Sequence, residues 1–407
     1  MHAHGMHFLT LYPSKNRSQG KARKSHHKLF PSRSSRLRVR QICCRNSPLL
    51  ADAPTENPNG DLRYTSLRMI QEAIAKLLSR QHLTADEAET AMNEIMGGSA
   101  TQAQIGAYLA GLRVNGETES EISGSARAMR ERALRVNHSQ PRVVDVVGTG
   151  GDKSGTFNIS TTAAFVVAGA GVPVAKHGGR AASSQTGAGD VLASLGLNMT
   201  LTPEQVGACI DEVGIGFMFA PNHHPAMKTV VGPRRELGTR TIFNILGPLT
   251  NPAWAKHQLV GTFSADLTEL MAKVLRDLGS THALVVNTVG VDELLTIGTA
   301  TVSELVDGDV RTYELDARDL GLRRVSLDEL GGGSPDFNAT ITRAVLAGQD
   351  VPARTEAVLL NAGAALYAAD AAASIADGIT LARESIASGA ALAKLNALVA
   401  KSMTFAE

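Results

Sequence analysis

The sequence has few aromatic residues, few cysteines and no long apolar run, and each shortage excludes a class of protein. Aromatic residues make up 4% of the 407 positions, while glycine alone occupies 39 of them. That balance favours closely packed helices on a sheet over a β-sandwich. Because no stretch of 18 consecutive apolar residues occurs, the sequence predicts no membrane-spanning helix.

Acidic side chains are missing from the first 51 residues, which hold eleven of the 40 Lys and Arg residues. An acid-free segment rich in Arg and Ser is typical of an organelle transit peptide, and residues 39–45 (VRQICCR) resemble a plastid processing region. We therefore expect residues 1–51 to be a chloroplast transit peptide. The alternatives are a mitochondrial leader or a disordered basic head on a cytoplasmic protein. Cys209 is the one cysteine beyond this segment, and a single thiol builds neither a disulfide framework nor a cysteine metal site.

Beyond residue 51 the charge balance reverses. The remaining chain has 29 basic and 39 acidic residues, which gives it a net charge of −10. Nucleic-acid-binding proteins present basic patches to the phosphate backbone, so this body is a poor candidate for that function. We expect neither a nucleic acid nor a membrane as its partner.

Two domains are predicted after a short linker. Residues 52–63 have the Pro, Asn and Gly content of a linker, and residues 64–135 predict an N-terminal α-helical bundle of about four helices. Helix starts are expected at Thr84, Ser99 and Thr118, because each is followed three positions later by Glu or Gln in a capping box.

Residues 140–402 predict a larger α/β catalytic domain with a mainly parallel central sheet, in which short apolar runs alternate with helical stretches. An antiparallel excursion is expected over residues 301–316, turning at 307–309. Part of residues 220–238 is expected to join the helical domain. The expected parallel strands are residues 143–147, 172–175, 216–219, 258–263 and 283–287.

A glycine-rich loop, GTGGDKSGTFNIST, follows the first of these strands and runs from Gly148 to Thr161. Glycines allow close backbone approach to a ligand, and the free N–H groups of the helix expected from Ser160 suit a phosphate. The loop is neither a Walker A sequence nor a Gly-x-Gly-x-x-Gly followed by an acid, which excludes the usual nucleotide hydrolases and dinucleotide enzymes. A tight turn without a ligand is the alternative interpretation.

A Lys-His pair ends the next predicted strand. Ligand sites in open α/β sheets lie at the carboxyl ends of strands, where Lys176 can neutralise phosphate or pyrophosphate. His177 suits a packed neutral histidine as well as it suits a ligand-binding one. Ser183 and Ser184 then offer hydroxyl and N–H groups at another predicted helix start.

Two charged pairs complete the candidate chemistry. Asp292 and Glu293 follow an apolar strand, and carboxylates at a strand end are oxygen ligands that suit Mg²⁺, the usual partner of pyrophosphate. Arg234 and Arg235 can bind a small carboxylate with two parallel hydrogen bonds, with a solvated basic turn as the alternative. The adjacent His223 and His224 lack metal-ligand spacing.

Over roughly residues 64–402 these motifs, in this order, resemble the anthranilate phosphoribosyltransferase family. The matching segments are GTGGD, NIST, KHG-x-R, HHPAM, RTIFNILGPLTNP, DE, VLLNAGAA and ARESIASGAA. The resemblance implies a fold related to pyrimidine nucleoside phosphorylases and a homodimer formed through the helical domain. It also implies transfer of a phosphoribosyl group from phosphoribosyl pyrophosphate to the amine of anthranilate, a step of tryptophan biosynthesis.

The resemblance implies a role for individual residues. Lys176 and Arg234 would act in catalysis. One Mg²⁺ would bind Ser160 and Glu293, and a second would bind Asp292 and Glu293. The anthranilate site would include Gly148, Gly179, His224 and Arg234. The phosphoribosyl pyrophosphate site would include Gly148, Gly151, Asp152, Thr156, Asn158, Ile159, Ser160, Thr161, Lys176, His177, Gly178, Gly179, Arg180, Ser183, Ser184 and Ala188.

Two positions depart from the family pattern. Gly179 stands where the family usually has Asn, and Ala188 stands where a serine hydroxyl is expected. We expect both to weaken binding without abolishing chemistry, because one lost neutral hydrogen bond costs about 0.5–1.5 kcal/mol. The alternative is that Gly179 reflects a different acceptor substrate.

Two other functions fit the same fold class. A pyrimidine nucleoside phosphorylase would use inorganic phosphate and would not need the acidic pair Asp292 and Glu293. A non-enzymatic nucleic-acid-binding relative of the fold should have a basic body, whereas this body is acidic.

Overall fold

The computed structural model describes residues 63–180 and 185–406. The predicted leader at 1–51, nearly all of the predicted linker, and Ser183 and Ser184 lie outside the described residues. Among the described residues, no helix has both the length and the apolar character needed to cross a membrane.

The helical domain begins with four short helices, as the pattern predicted. Thr84 and Thr118 cap the second and fourth of them, each accepting the N–H of the Glu three residues on. The predicted start at Ser99 is wrong. The third helix begins after Thr101, which pairs with Gln104, because the Ser99 N–H donates to a carbonyl at the end of the preceding helix. These helices are α1 (Arg63–Leu78), α2 (Ala85–Met96), α3 (Gln102–Asn115) and α4 (Glu119–Arg132).

Seven strands form one sheet in the order β3-β2-β1-β4-β5-β6-β7. The first five in this order are parallel, and the last two add antiparallel strands around the predicted turn, so the mainly parallel sheet is confirmed. The strands are β1 (Val144–Gly148), β2 (Val174–Gly178), β3 (Ile215–Phe219), β4 (His257–Gly261), β5 (His282–Thr288), β6 (Thr299–Val306) and β7 (Asp309–Asp316).

In the part of the chain that the structure describes, eleven further α-helices connect or cover the strands. Four of them, α8, α9, α10 and α12, were not predicted, and α9 carries the Arg234–Arg235 pair. The helices are α5 (Ile159–Gly169), α6 (Ala188–Ser194), α7 (Pro203–Val213), α8 (Ala220–His223), α9 (Lys228–Leu237), α10 (Phe243–Leu246), α11 (Leu267–Asp277), α12 (Pro335–Leu346), α13 (Pro352–Ala368), α14 (Ile375–Ala387) and α15 (Ala390–Met403).

The five parallel strands are buried on both faces, which explains why they are mainly apolar runs, whereas the edge strand β7 is largely exposed. In β5, Leu284 and Val286 pack into a core with α5, α13, α14 and α15. Ala283 and Val285 point the other way, into a second core built by α11 and the helical domain. Val230 of α9 lies in that second core, so this helix brings the Arg234–Arg235 pair beside the helical domain.

Candidate active site

A cavity of about 980 Å³ opens at the carboxyl ends of β1 and β2. The start of α6, the end of α9 and the loop after β5 complete its wall. Of the residues expected to bind the donor, the acceptor or metal, Ile159 and His224 do not line it. The expected residues that do line it are Gly148, Gly151, Asp152, Thr156, Asn158, Ser160, Thr161, Lys176, His177, Gly178, Gly179, Arg180, Ala188, Arg234, Asp292 and Glu293.

The glycine-rich loop takes a conformation that few side chains tolerate. Gly150, Gly151 and Gly155 have φ values of +67°, +78° and +71°, and Lys153 between them has +62°. Loops that contain left-handed residues can gather backbone N–H groups into an anion-binding concavity. The loop leads directly into the first turn of α5, where the helix dipole adds to that preference.

The acidic pair is held against the glycine-rich loop by main-chain donors. Asp292 Oδ2 accepts the Gly150 N–H at 2.6 Å, and Glu293 Oε1 accepts the Ser160 N–H at 3.1 Å. The approach depends on glycine at the end of β4, because a Cβ on Gly261 would lie 1.6 Å from the Asp292 carbonyl oxygen. Gly148 has the same role at the end of β1, where a Cβ would lie 2.4 Å from Asp292 Oδ2.

Both carboxyl groups of the pair have raised pKa values. Burial is the main cause for each, and the nearby carboxylate of Asp152 adds repulsion to Asp292, as Asp292 does to Glu293. Within residues 63–180 and 185–406, no three His, Cys, Asp or Glu side chains converge as a complete metal site. The donor set instead fits Mg²⁺, which commonly binds one or two carboxylates and takes its other oxygens from water and substrate phosphates.

Lys176 lies deep in the cavity wall, with 3% of its surface exposed. Its Nζ donates to the Val146 carbonyl at 2.5 Å. Burial lowers the pKa of this amine, while the charges of Asp145 and Glu293 oppose that change. Asp145 is itself fully buried and accepts the His177 N–H at 3.1 Å, so it fixes the end of β2 from behind.

Three histidines lie behind and beside Lys176. The rings of His177 and His224 are 5.0 Å apart, and the Nε2 atoms of His177, His223 and His224 make no hydrogen bond to a described residue. Burial lowers the pKa of all three, that of His224 to about 4. They are therefore neutral near pH 7 and form a histidine wall in which His177 lines the cavity, while His223 and His224 are not part of the cavity lining. The uncharged ring of His177 suits an aromatic group better than a phosphate.

Two arginines of α9 border the opposite side of the cavity. Arg234 is half-buried, its guanidinium lies 5.3 Å from the centre of the Phe243 ring, and burial lowers its pKa. Arg235 lines the same cavity but is exposed. Arg234 is thus the more buried of the pair and the better candidate for a carboxylate ligand.

Arg240 was missed by the sequence reasoning. Its guanidinium donates to the Gly151 carbonyl and lies 3.8 Å from the centre of the Phe263 ring, so it ties the glycine-rich loop to the segment after α9. Its position at the start of the RTIFNILGPLTNP segment, one of the family motifs, could have identified it as a site residue.

Gly179 leaves open space beside the cavity. Among the residues that the structure describes, a Cβ added there would meet a single neighbour, the Ala220 Cβ at 3.9 Å, and the backbone is not left-handed. A larger side chain could therefore be accommodated at this position without displacing the backbone.

The chain matches known protein families over most of its length. The family model described as "Glycosyl transferase family, a/b domain" matches residues 140–392, and "Glycosyl transferase family, helical bundle domain" matches residues 71–133. The chain is 57% identical to an anthranilate phosphoribosyltransferase of Symbiobacterium thermophilum over 310 residues, which cover 76% of this chain and 91% of that protein.

Two solved structures have the same architecture. Anthranilate phosphoribosyltransferase from Thermus thermophilus superposes with a TM-score of 0.78 at 43% identity, over 81% of this chain and 99% of that one. The Saccharomyces cerevisiae enzyme, solved with PRPP and Mg, superposes with a TM-score of 0.76 at 29% identity, over 83% of this chain and 99% of that one. The yeast protein has also been solved with 4-fluoroanthranilate.

Proposed function

The chain belongs to the anthranilate phosphoribosyltransferase family, and we propose that it transfers the phosphoribosyl group of phosphoribosyl pyrophosphate to the amine of anthranilate. The observation that carries this proposal is the convergence of an anion-binding loop, a buried lysine and an acidic pair with a neutral histidine wall and an arginine at one cavity. The first three suit the anionic donor, and the last two suit an aromatic carboxylate.

The donor is held at the carboxyl ends of β1 and β2. Backbone N–H groups of the glycine-rich loop and of the α5 start bind its phosphates, and Lys176 supplies the buried positive charge. The residues fit Mg²⁺ as well, and two ions held by Ser160, Asp292 and Glu293 would neutralise the charge of the pyrophosphate oxygens.

In the reaction, the neutral amine of anthranilate attacks C1 of the ribose. The C1–O bond to pyrophosphate breaks, its electron pair leaves with the pyrophosphate, and the new secondary amine loses a proton to water. The amine needs no general base because it is already neutral near pH 7. Lys176 and the donors at residues 158–161 stabilise the departing negative charge.

The acceptor lies between α9 and the histidine wall. Arg234 binds the carboxylate of anthranilate and thereby orients its amine toward C1 of the ribose. His224 supports the wall from behind through its contact with His177. Since Gly179 supplies no side chain, acceptor binding depends more heavily on Arg234 than in relatives that have Asn there.

Two further properties are part of this proposal. The acid-free, Arg- and Ser-rich segment 1–51 serves as a plastid import leader, and the mature enzyme is a homodimer that associates through its helical domain. Exposed Leu78 and Val114, at the ends of α1 and α3, are apolar positions available on that domain. Import into isolated chloroplasts and sedimentation of the purified chain test these two statements.

The direct test follows loss of anthranilate fluorescence by the full chain with Mg²⁺ and phosphoribosyl pyrophosphate. We expect loss only when all components are present. Activity with inorganic phosphate and a pyrimidine nucleoside instead would favour the nucleoside phosphorylase alternative. Binding of the donor without loss of anthranilate would mean that the acceptor is a different amine.

The role of Arg234 has a matched control in its neighbour. Arg234→Gln should raise the KM for anthranilate by roughly tenfold or more, because it removes a charge-assisted pair of hydrogen bonds. Arg235→Gln, on the exposed side of the same helix, should change it by less than about twofold. Equal effects of the two substitutions would contradict the assignment of the carboxylate to Arg234.

A further inference from the structure

A segment far along the chain closes over the glycine-rich loop. Residues 330–333 (LGGG) pair with residues 155–157: the Gly332 N–H donates to the Gly155 carbonyl at 2.8 Å, and the Phe157 N–H donates to the Leu330 carbonyl at 3.0 Å. A Cβ on Gly332 would lie 2.8 Å from the backbone of residue 157. The loop is therefore braced by a segment that carries no chemistry of its own.

Four side-chain hydrogen bonds extend this contact into the site. The Gly333 N–H donates to Asn338 Oδ1 at 2.7 Å, and Asn338 Nδ2 donates to Asn158 Oδ1 at 3.0 Å. Asn158 Nδ2 donates to the Thr186 carbonyl at 3.2 Å, and the Thr186 hydroxyl donates to the Gly333 carbonyl at 2.7 Å. The four residues thus form a closed ring, and two of them, Asn158 and Thr186, line the cavity.

The ring has a defined polarity because backbone groups anchor both ends of the amide chain. A backbone N–H can only donate, so Gly333 fixes which end of the Asn338 amide is oxygen. A backbone carbonyl can only accept, so Thr186 fixes which end of the Asn158 amide is nitrogen. Asn158 consequently has its oxygen occupied by Asn338 and retains a second N–H on Nδ2.

We propose that Asn338 is a positioning residue for the donor site. By occupying the Asn158 oxygen it holds that amide, together with the Thr186 carbonyl, so that an N–H rather than an oxygen faces the bound anion. This inference rests on the proposed function, since it takes a phosphate-bearing donor as the ligand. An anion is repelled by an amide oxygen and attracted by an N–H, so the orientation has a direct effect on donor binding. Asn338 is 1% exposed and does not itself line the cavity.

The experiment is a double-mutant cycle on the full chain, read by calorimetry with phosphoribosyl pyrophosphate and Mg²⁺ and by steady-state kinetics. Asn338→Ala should weaken donor binding by roughly tenfold, in line with an impaired hydrogen bond to a charged group, and leave the KM for anthranilate within about twofold. In the Asn158→Ala background the same substitution should have no further effect on donor binding, because the group it orients is gone.

Two variants separate positioning from folding. Asn338→Asp keeps the size of the side chain but places an acceptor against Asn158, so it should weaken donor binding more than Asn338→Ala. Asn198 is a matched control, because its amide also donates to a carbonyl, that of Ser402 at 3.3 Å, but lies outside the cavity. Asn198→Ala should lower the melting temperature without changing donor affinity.

The outcomes are distinguishable. Additive effects of the Asn158 and Asn338 substitutions, or unchanged donor binding in Asn338→Ala, would overturn the positioning role. Wild-type protein that binds the donor but leaves anthranilate unchanged would contradict the proposed function alone. Calorimetry would still measure donor affinity in all four variants of the double-mutant cycle. Wild-type protein that does not bind the donor would overturn both proposals.

Discussion

Both ends of the central sheet bury ionisable side chains, but they differ in the charges that surround them. Opposite charges are paired at the amino end, and like charges are neighbours at the carboxyl end. At the amino end, Glu304 accepts hydrogen bonds from Tyr367 at 2.6 Å and Arg311 at 3.0 Å, and His282 donates to Asp370 at 2.6 Å. Burial alone would raise the pKa of Glu304, yet the nearby His282 and the hydrogen bonds from Tyr367 and Arg311 lower it to about 2. Every charge in this cluster has an opposite partner.

At the carboxyl end, carboxylates face each other instead. Asp292, Glu293 and Asp152 lie together, and burial with mutual repulsion raises the pKa of the first two. Burial raises the pKa of Glu304 as it does those of Asp292 and Glu293, so the partners decide the direction of the net change. Paired charges stabilise the fold at the amino end, whereas the carboxyl end keeps an arrangement that favours a cation and an anionic ligand at a cost in stability.

The largest expected effect separates function from stability at the carboxyl end. Glu293→Gln should lower kcat/KM by on the order of 100-fold or more, because it removes a charge from the donor and metal site. In a chelating buffer its melting temperature should equal or exceed that of the wild type, since a repelled buried carboxylate becomes a neutral amide. Glu131→Gln, at an exposed position of α4, is the control. A marked loss of stability in Glu293→Gln would contradict the view that the carboxyl end of the sheet reduces the stability of the fold.

The equivalent substitution of Glu304 tests the amino end of the sheet. Glu304→Gln should reduce the free energy of unfolding by about 1–3 kcal/mol, because Arg311, Tyr367 and His282 lose their buried anionic partner. Denaturant midpoints measure the change in stability, and the transferase assay should give an unchanged kcat/KM at a temperature where the variant is folded. Lost activity in a folded variant would indicate that the two ends are coupled.

A smaller effect depends on pH. Burial alone would lower the pKa of His282, but the nearby carboxylate of Glu304 and the hydrogen bond to Asp370 raise it above the ordinary value near 6.5. A raised histidine pKa stabilises the folded state fully below about pH 6.5, and this contribution is lost as pH rises through the folded value. The melting-temperature difference between wild type and His282→Gln should therefore be largest at pH 5.5 to 6.5 and narrow toward pH 9. A difference that stays constant with pH would exclude this account.

The smallest effect is a gain at the carboxyl end. Gly179→Asn should lower the KM for anthranilate by about 2- to 10-fold, the equivalent of one restored hydrogen bond, and leave the melting temperature unchanged. The space beside Ala220 accommodates the new side chain. An increase in KM would mean that the acceptor in this protein lies against Gly179 more closely than we propose.

Local signals in the sequence predicted much of the fold. The caps at Thr84 and Thr118 and the apolar runs of the five parallel strands depend on neighbours within a few positions, and all are confirmed. The start expected at Ser99 failed because Ser99 and Thr101 both have Gln three residues later, and the closing hydrogen bond of α2 decides between them.

The sequence by itself determined the family, the mainly parallel sheet and the main motifs around the cavity, because motifs and hydrophobic periodicity are local properties. Only the tertiary structure decided how those residues are supported. Asn338 meets Asn158 across 180 positions, and Asp292 crosses Gly261 through a gap that only glycine leaves. Such contacts have no local pattern, since they depend on where separate strands and helices end after the chain has packed.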